Sequence, residues 1–441
     1  MGHALRATLL TIAASVGAAH AAPTGVSAAQ HALDARRSAE GVASYALAMA
    51  PADGPIWTGS AGDLRADARV PLGSGSGLLT RLAVVRAASE GALQLTDPVV
   101  QHLPDVALPG VTVADLLDDT TGLPPRAGDR LHIAAPASLE ALTAMALDGV
   151  PPGTPGGDTH RPSALHDLLA GRVLAAALGR PFPEALDAAL LRPLALRSTG
   201  LAAPPLAPTH RVLLGASMAA QVASSPATPA LGLASTARDL GRLAQHLLAG
   251  RSPLSKAVLD HDGGASHLGW APVDLGGVPG LAHAGDGPTS SVDLVLVPRE
   301  EMAMVVLSDT GGLWPSLTVP RPGEQAARWV LGQSPPAPDG DAGPSRAVGG
   351  GLIAGALGAV GALLVARRRT GGRPRVAAAV TLLPAVGLTG GLTLLTVENP
   401  AGFDAWRLLA RQQPDLAYGL AAVTGLWVLA AVAGLARATR A

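Results

Sequence analysis

No cysteine occurs anywhere in the 441-residue chain, which excludes disulfide bonds and thiolate metal sites. Aromatic residues are 2% of the total, and tyrosine is found only at Tyr45 and Tyr418. Lysine occurs once, at Lys256, so arginine supplies almost all of the positive charge. The formal net charge is -1, which gives no electrostatic footprint for nucleic acid. Any chemistry that needs a lysine or a tyrosine side chain therefore has very few residues to draw on. No cofactor or metal is expected. With 48% hydrophobic residues, the chain is long enough for one large core and additional segments.

Residues 1–21 have the pattern of a secretory leader: Arg6, a short apolar run from Ala7 to Val16, and Ala19-His20-Ala21 as an A-x-A cleavage site. The apolar run is too short to span a bilayer. Residues 27–40 read as a helix, and 41–50 with 55–62 as two strands around the turn Pro51-Ala52-Asp53-Gly54. Residues 91–150 read as short helices and loops.

Between them lies Gly73-Ser74-Gly75-Ser76-Gly77-Leu78-Leu79-Thr80, which leads from a short strand into an apolar helix. A serine at a helix start has its hydroxyl in the positive field of unpaired backbone N–H groups. Further on, residues 230–250 predict a helix capped by Ser235 or Thr236, with an apolar face of Leu240, Leu243, Leu247 and Leu248 and a stop at Gly250. Residues 291–298 and 302–308 predict apolar strands, and 324–332 a closing helix. Residues 333–346, rich in proline and glycine, form an extended linker.

From residue 347 the composition changes. Three runs, 347–366, 376–397 and 416–436, are each about twenty mostly apolar residues, enough to cross a bilayer core of roughly 30 Å. The first connection holds Arg367, Arg368, Arg369, Arg373 and Arg375, and the C-terminus holds Arg437 and Arg440. The positive-inside rule places both in the cytoplasm. The domain at 22–332 is then expected outside the cell membrane, in agreement with the leader. Phe403 and Trp406 suit an interfacial segment on the outer side, and Gly351 with Gly355 suit helix–helix packing.

Several segments together resemble the serine β-lactamase-related superfamily of class C β-lactamases, D-alanyl-D-alanine carboxypeptidases and related esterases. They are the Ser74 stretch, Glu90-Gly91-Ala92-Leu93-Gln94-Leu95-Thr96-Asp97-Pro98, residues 111–124, residues 230–250, Leu268-Gly269-Trp270 and His283-Ala284-Gly285. The resemblance implies an α+β fold: an antiparallel sheet flanked by helices, with a mainly helical subdomain. It makes Ser74 the nucleophile and places the lysine of the S-x-x-K motif on Gly77. The family's Y-x-N motif falls on Pro162 and Ala164 by one count, or its tyrosine on Asp158 by another. Neither count offers a tyrosine. His283 and Gly285 match the third motif, H-x-G. The oxyanion-hole residue maps to Asp286, whose carboxylate is expected to oppose a developing negative charge.

Three functions fit these residues. In the first, a membrane-tethered, catalytically impaired member binds a cell-wall peptide, another small molecule or a partner protein through the old cleft. In the second, an active serine hydrolase uses Ser74 or Ser76 with His283, His160 or His166 as base. In the third, a polytopic membrane component uses its outer domain as a spacer.

Overall fold

The computed structural model describes residues 24–124, 127–132, 137–150, 160–213, 216–221, 225–260, 267–312, 320–333, 354–360 and 414–438. Six strands build the main sheet: β1 (Tyr45–Pro51), β2 (Trp57–Ala61), β3 (Ala271–Asp274), β4 (Pro279–Asp286), β5 (Ser291–Val297) and β6 (Met302–Ser308). Their order is β2-β1-β6-β5-β4-β3, antiparallel throughout. Every residue of β5 and β6 is buried, so both faces of the sheet centre are covered and the strands read as continuous apolar runs.

Alternation along the strands divides the core in two. Val295, Val297, Met302 and Met304 face helix α1 (Thr24–Glu40) and the late helix Pro322–Val330. Leu294, Leu296, Ala303 and Val305 face the opposite way, into the larger core shared with the helical part of the chain. On the first side, Arg36 ties the two terminal helices together, donating to Pro320 O and Gln325 Oε1 at 2.6 and 3.1 Å. It also pairs with Glu40 at 2.9 Å.

The larger core centres on α2 (Ser76–Ser89), α3 (Ala164–Leu178) and α4 (Ala237–Leu248). Helix α2 is buried on nearly every side, as its apolar sequence requires. In α4 the four leucines singled out by spacing are all buried, and the cap is Thr236, whose hydroxyl accepts from Asp239 N–H at 3.0 Å. The late helix runs Pro322–Val330, beginning and ending two residues before the expected 324–332, because Pro322 starts it.

The leader 1–21, almost all of the linker 333–346, the apolar run 376–397 and most of 347–366 lie outside the described residues. Residues 354–360 are helical, and the third run lies within helix α5 (Pro414–Ala438), whose side chains are described at 417 and 419–432. A methyl group added at Gly355 would stand 3.1 Å from Val423 Cγ1, and one at Gly358 3.4 Å from Trp427 Cζ2. The two helical pieces therefore meet through glycines. Among the described residues no helix is long and apolar enough to cross a membrane.

Candidate active site

Ser74 is the middle residue of a 3-10 turn, Gly73–Gly75, that feeds directly into α2. This turn is pressed against the end of β4. A Cβ on Gly285 would collide with the backbone of Gly75, and one on Gly73, where φ is +54°, with Asp286 O. Glycine on both sides of the contact is what lets strand and turn approach this closely. The result is a short link between nucleophile position and strand: Asp286 N–H donates to Ser74 Oγ at 2.9 Å, and the Ser74 hydroxyl lies 3.3 Å from Asp286 O. Among the described residues these backbone groups are the only hydrogen-bond partners of the Ser74 hydroxyl. Ser76 is fully buried, its Oγ donating to Gly73 O and accepting from Leu233 N–H. It ties the turn to the core.

Gly77 borders a side chain that sequence reasoning passed over. A Cβ at this position would collide with the carboxylate of Asp167, which comes from the first turn of α3. Asp167 accepts from Arg81 Nε at 2.6 Å. Arg81, one turn further along α2, also donates from Nη1 to Leu117 O and Asp119 Oδ2, and from Nη2 to Asp119 Oδ1, at 2.7 to 2.9 Å. Asp119 Oδ1 in turn meets His166 Nδ1 at 2.7 Å, and His166 Nε2 meets Thr121 Oγ1 at 2.7 Å. All five residues are buried.

This network sets its own charge states. Burial by itself would raise the Asp119 carboxyl, but the His166 hydrogen bond and the Arg81 charge hold it well below the ordinary range. For Asp167 burial prevails over Arg81 and the carboxyl is raised. Burial disfavours the Arg81 cation, yet the two carboxylates hold it more firmly protonated than a free arginine.

The other expected site residues divide. His283 projects from β4 into the same cleft as Ser74. Its Nδ1–H donates to Gly269 O at 2.8 Å, and its Nε2 is buried with no partner. Burial, chiefly, pushes it from 6.5 down to about 4, so it is neutral near pH 7. His160 lines the cleft with Nδ1 held by Asp118 O at 3.0 Å. His166 is 0% exposed and both ring nitrogens are engaged, which leaves it no lone pair for Ser74. Pro162 and Ala164 line the cleft, whereas Asp158 lies outside the described residues. Tyr45 is remote on β1, its hydroxyl donating to Glu40 Oε2 at 3.0 Å. Lys256 is exposed on the helix Pro253–Leu259. The Asp286 carboxylate is held by Arg321, at 3.0 and 3.2 Å. The charge expected to oppose an oxyanion is thus offset only in part, because the same guanidinium also serves Asp293.

The displaced His283 titration predicts a pH dependence. The unfolded chain takes up a proton near pH 6.5, the native one only near pH 4. Between those values the unfolded state binds more protons at this site, so the His283 contribution to stability falls as the pH drops through that window, by about 3 kcal/mol. Chemical denaturation across this range should show the parent losing stability relative to His283→Leu as the pH drops; a constant difference between the two would contradict it.

The cleft encloses about 350 Å³ and is bounded by Ser74, Arg81, Asp167, His160 and His283, among others. Among the described residues there is no group of three or more metal-ligating side chains. A family model described as Beta-lactamase matches residues 29–320. No curated protein matches the chain. Among solved structures, a D-stereospecific amidohydrolase from Streptomyces sp. is 24% identical, aligning over 65% of this chain and 94% of its own, with a TM-score of 0.55. A class C beta lactamase from Rhodobacter sphaeroides is 19% identical over 69% of this chain and 98% of its own, with a TM-score of 0.57. The octameric penicillin-binding protein homologue from Pyrococcus abyssi is 17% identical over 70% and 78%, with a TM-score of 0.58. At these identities the likeness is one of fold.

Proposed function

The chain belongs to the beta-lactamase family, and from that premise we propose that it is a member with little or no hydrolytic activity, tethered to the cell membrane and binding a small molecule or peptide in its cleft. One observation carries the reading: the room beside Gly77 is filled by the Asp167 carboxylate, itself fixed by Arg81. A serine hydroxyl without a base is a poor nucleophile, and a positioned base contributes about 10² to 10⁴ in rate. Ser74 meets only backbone atoms among the described residues. The ester and β-lactam turnover of the parent should therefore equal that of Ser74→Ala. A Ser74-dependent rate well above that background contradicts the proposal.

A second reading rests on the unpartnered Nε2 of His283, which shares the cleft with Ser74. An imidazole with a pKa of about 4 is unprotonated at neutral pH but weakly basic. Ester hydrolysis by this route would show its pH limb near 4 and vanish in His283→Ala.

The membrane tether is supported by the three apolar runs and by the exposure of Leu357, Val360, Leu429 and Val432 on the two glycine-packed helices. Lipid would cover such side chains, and the arginine-rich connection orients the rest. The absence of native cysteine makes the topology directly measurable. In intact cells, Ser345→Cys should react with a membrane-impermeant maleimide and Thr370→Cys should react only after permeabilisation. The opposite pattern reverses the orientation.

A further inference from the structure

The polar groups of the cleft are unevenly spent. Among the described residues, the side-chain donor and the strand N–H nearest Ser74 are largely committed. Arg81 uses four of its five N–H groups on Leu117, Asp119 and Asp167, and is 5% exposed. Asp286 N–H is taken by Ser74 Oγ. The acceptors, by contrast, are left over. Asp167 Oδ1 takes Arg81, but its Oδ2 has no hydrogen-bond partner among the described residues, and the side chain keeps 11% exposure in the cleft it lines. His283 is nine-tenths buried, its Nδ1–H is fixed on Gly269 O, and its Nε2 lone pair is unmatched. With Nδ1 of His160 likewise donating to a carbonyl, its Nε2 is a third acceptor on the cleft wall. The lining also carries the two carboxylates of the ion network, Asp119 and Asp167, against the single guanidinium of Arg81 that both share.

An unpaired buried acceptor is costly until a donor reaches it, and an excess of carboxylate favours a cation. We propose that the cleft takes its ligand by a primary ammonium group, the N–H donors of which complete Asp167 Oδ2 and His283 Nε2. The ligand class is a small amino-acid amide or the amino end of a short peptide, in keeping with a cavity of about 350 Å³. This rests on the reading of the cleft as a binding site, and it specifies what binds there.

The test uses the full chain in detergent near neutral pH, titrated calorimetrically with three probes: alaninamide, its N-acetyl derivative, which is neutral, and N-acetylalanine, which is an anion. Alaninamide should bind at least about tenfold more tightly than either acetylated probe. Asp167→Asn, which keeps the shape and one acceptor for Arg81, should weaken it about tenfold. His283→Leu, which leaves the ion network untouched, should weaken it severalfold and serves if the first variant does not fold. Equal or tighter binding of an acetylated probe overturns the proposal, as does full affinity in either folded variant. Binding of no probe also overturns it, and leaves the inactive reading in place if Ser74 is unreactive. Ser74-dependent release of ammonia from bound alaninamide would instead overturn the inactive reading and support the ammonium preference.

Discussion

Replacing Arg81 by methionine is expected to cost about 3–5 kcal/mol, the range for removing one partner of a buried ion pair. Methionine fills similar volume, so packing is largely kept and the loss isolates the charge. Asp119 and Asp167 would be left in the core without the guanidinium they share. Against a typical total stability of about 5–15 kcal/mol, the variant should be partly unfolded at physiological temperature. Arg81→Lys should recover little of this. One ammonium cannot reproduce the fork that reaches both oxygens of Asp119 and one of Asp167. Urea denaturation at neutral pH reads both variants, and a loss under about 1 kcal/mol would mean that the network behaves like a surface ion pair.

Putting a lysine at Gly77 is the change that a comparison of motifs alone would recommend, and the structure predicts that it fails. The new Cβ collides with the Asp167 carboxylate, and Asp167 has little freedom to retreat because Arg81 Nε holds it at 2.6 Å. Overpacking of this kind costs about 1–3 kcal/mol. Gly77→Lys should therefore be less stable than the parent and gain no reactivity toward a fluorophosphonate. A folded variant with enhanced labelling of Ser74 would show that the space beside the turn can be reopened.

Much of the architecture could be read in the chain before any coordinates. The leucine spacing of 240, 243, 247 and 248 reports one buried face of α4, and the unbroken apolar runs at 291–297 and 302–308 report strands covered on both sides. These are local patterns, and local patterns survive in sequence. The ion network is different, because its members come from positions 81, 119, 166 and 167 and meet only once α2 and α3 pack. A signal was nonetheless present. An arginine set among Leu78, Leu79, Leu82 and Ala83 on a helix with no polar face needs a buried counter-ion. The partner of Asp286 was invisible for the same reason: Arg321 lies at the start of a separate helix, and no periodicity links the two. His166 illustrates the converse. Its proximity to the site is real, but its two nitrogens already serve Asp119 and Thr121, a commitment that no spacing rule reveals.

The most direct measurement is the intact mass of the full chain after exposure to a fluorophosphonate, with Ser74→Ala in parallel. An alcohol hydrogen-bonded, among the described residues, only to the backbone of Asp286 should leave the parent unlabelled, as Ser74→Ala is. A stoichiometric adduct on the parent that disappears with Ser74 would contradict the account, since it requires a base that the carboxylate beside Gly77 was taken to have displaced.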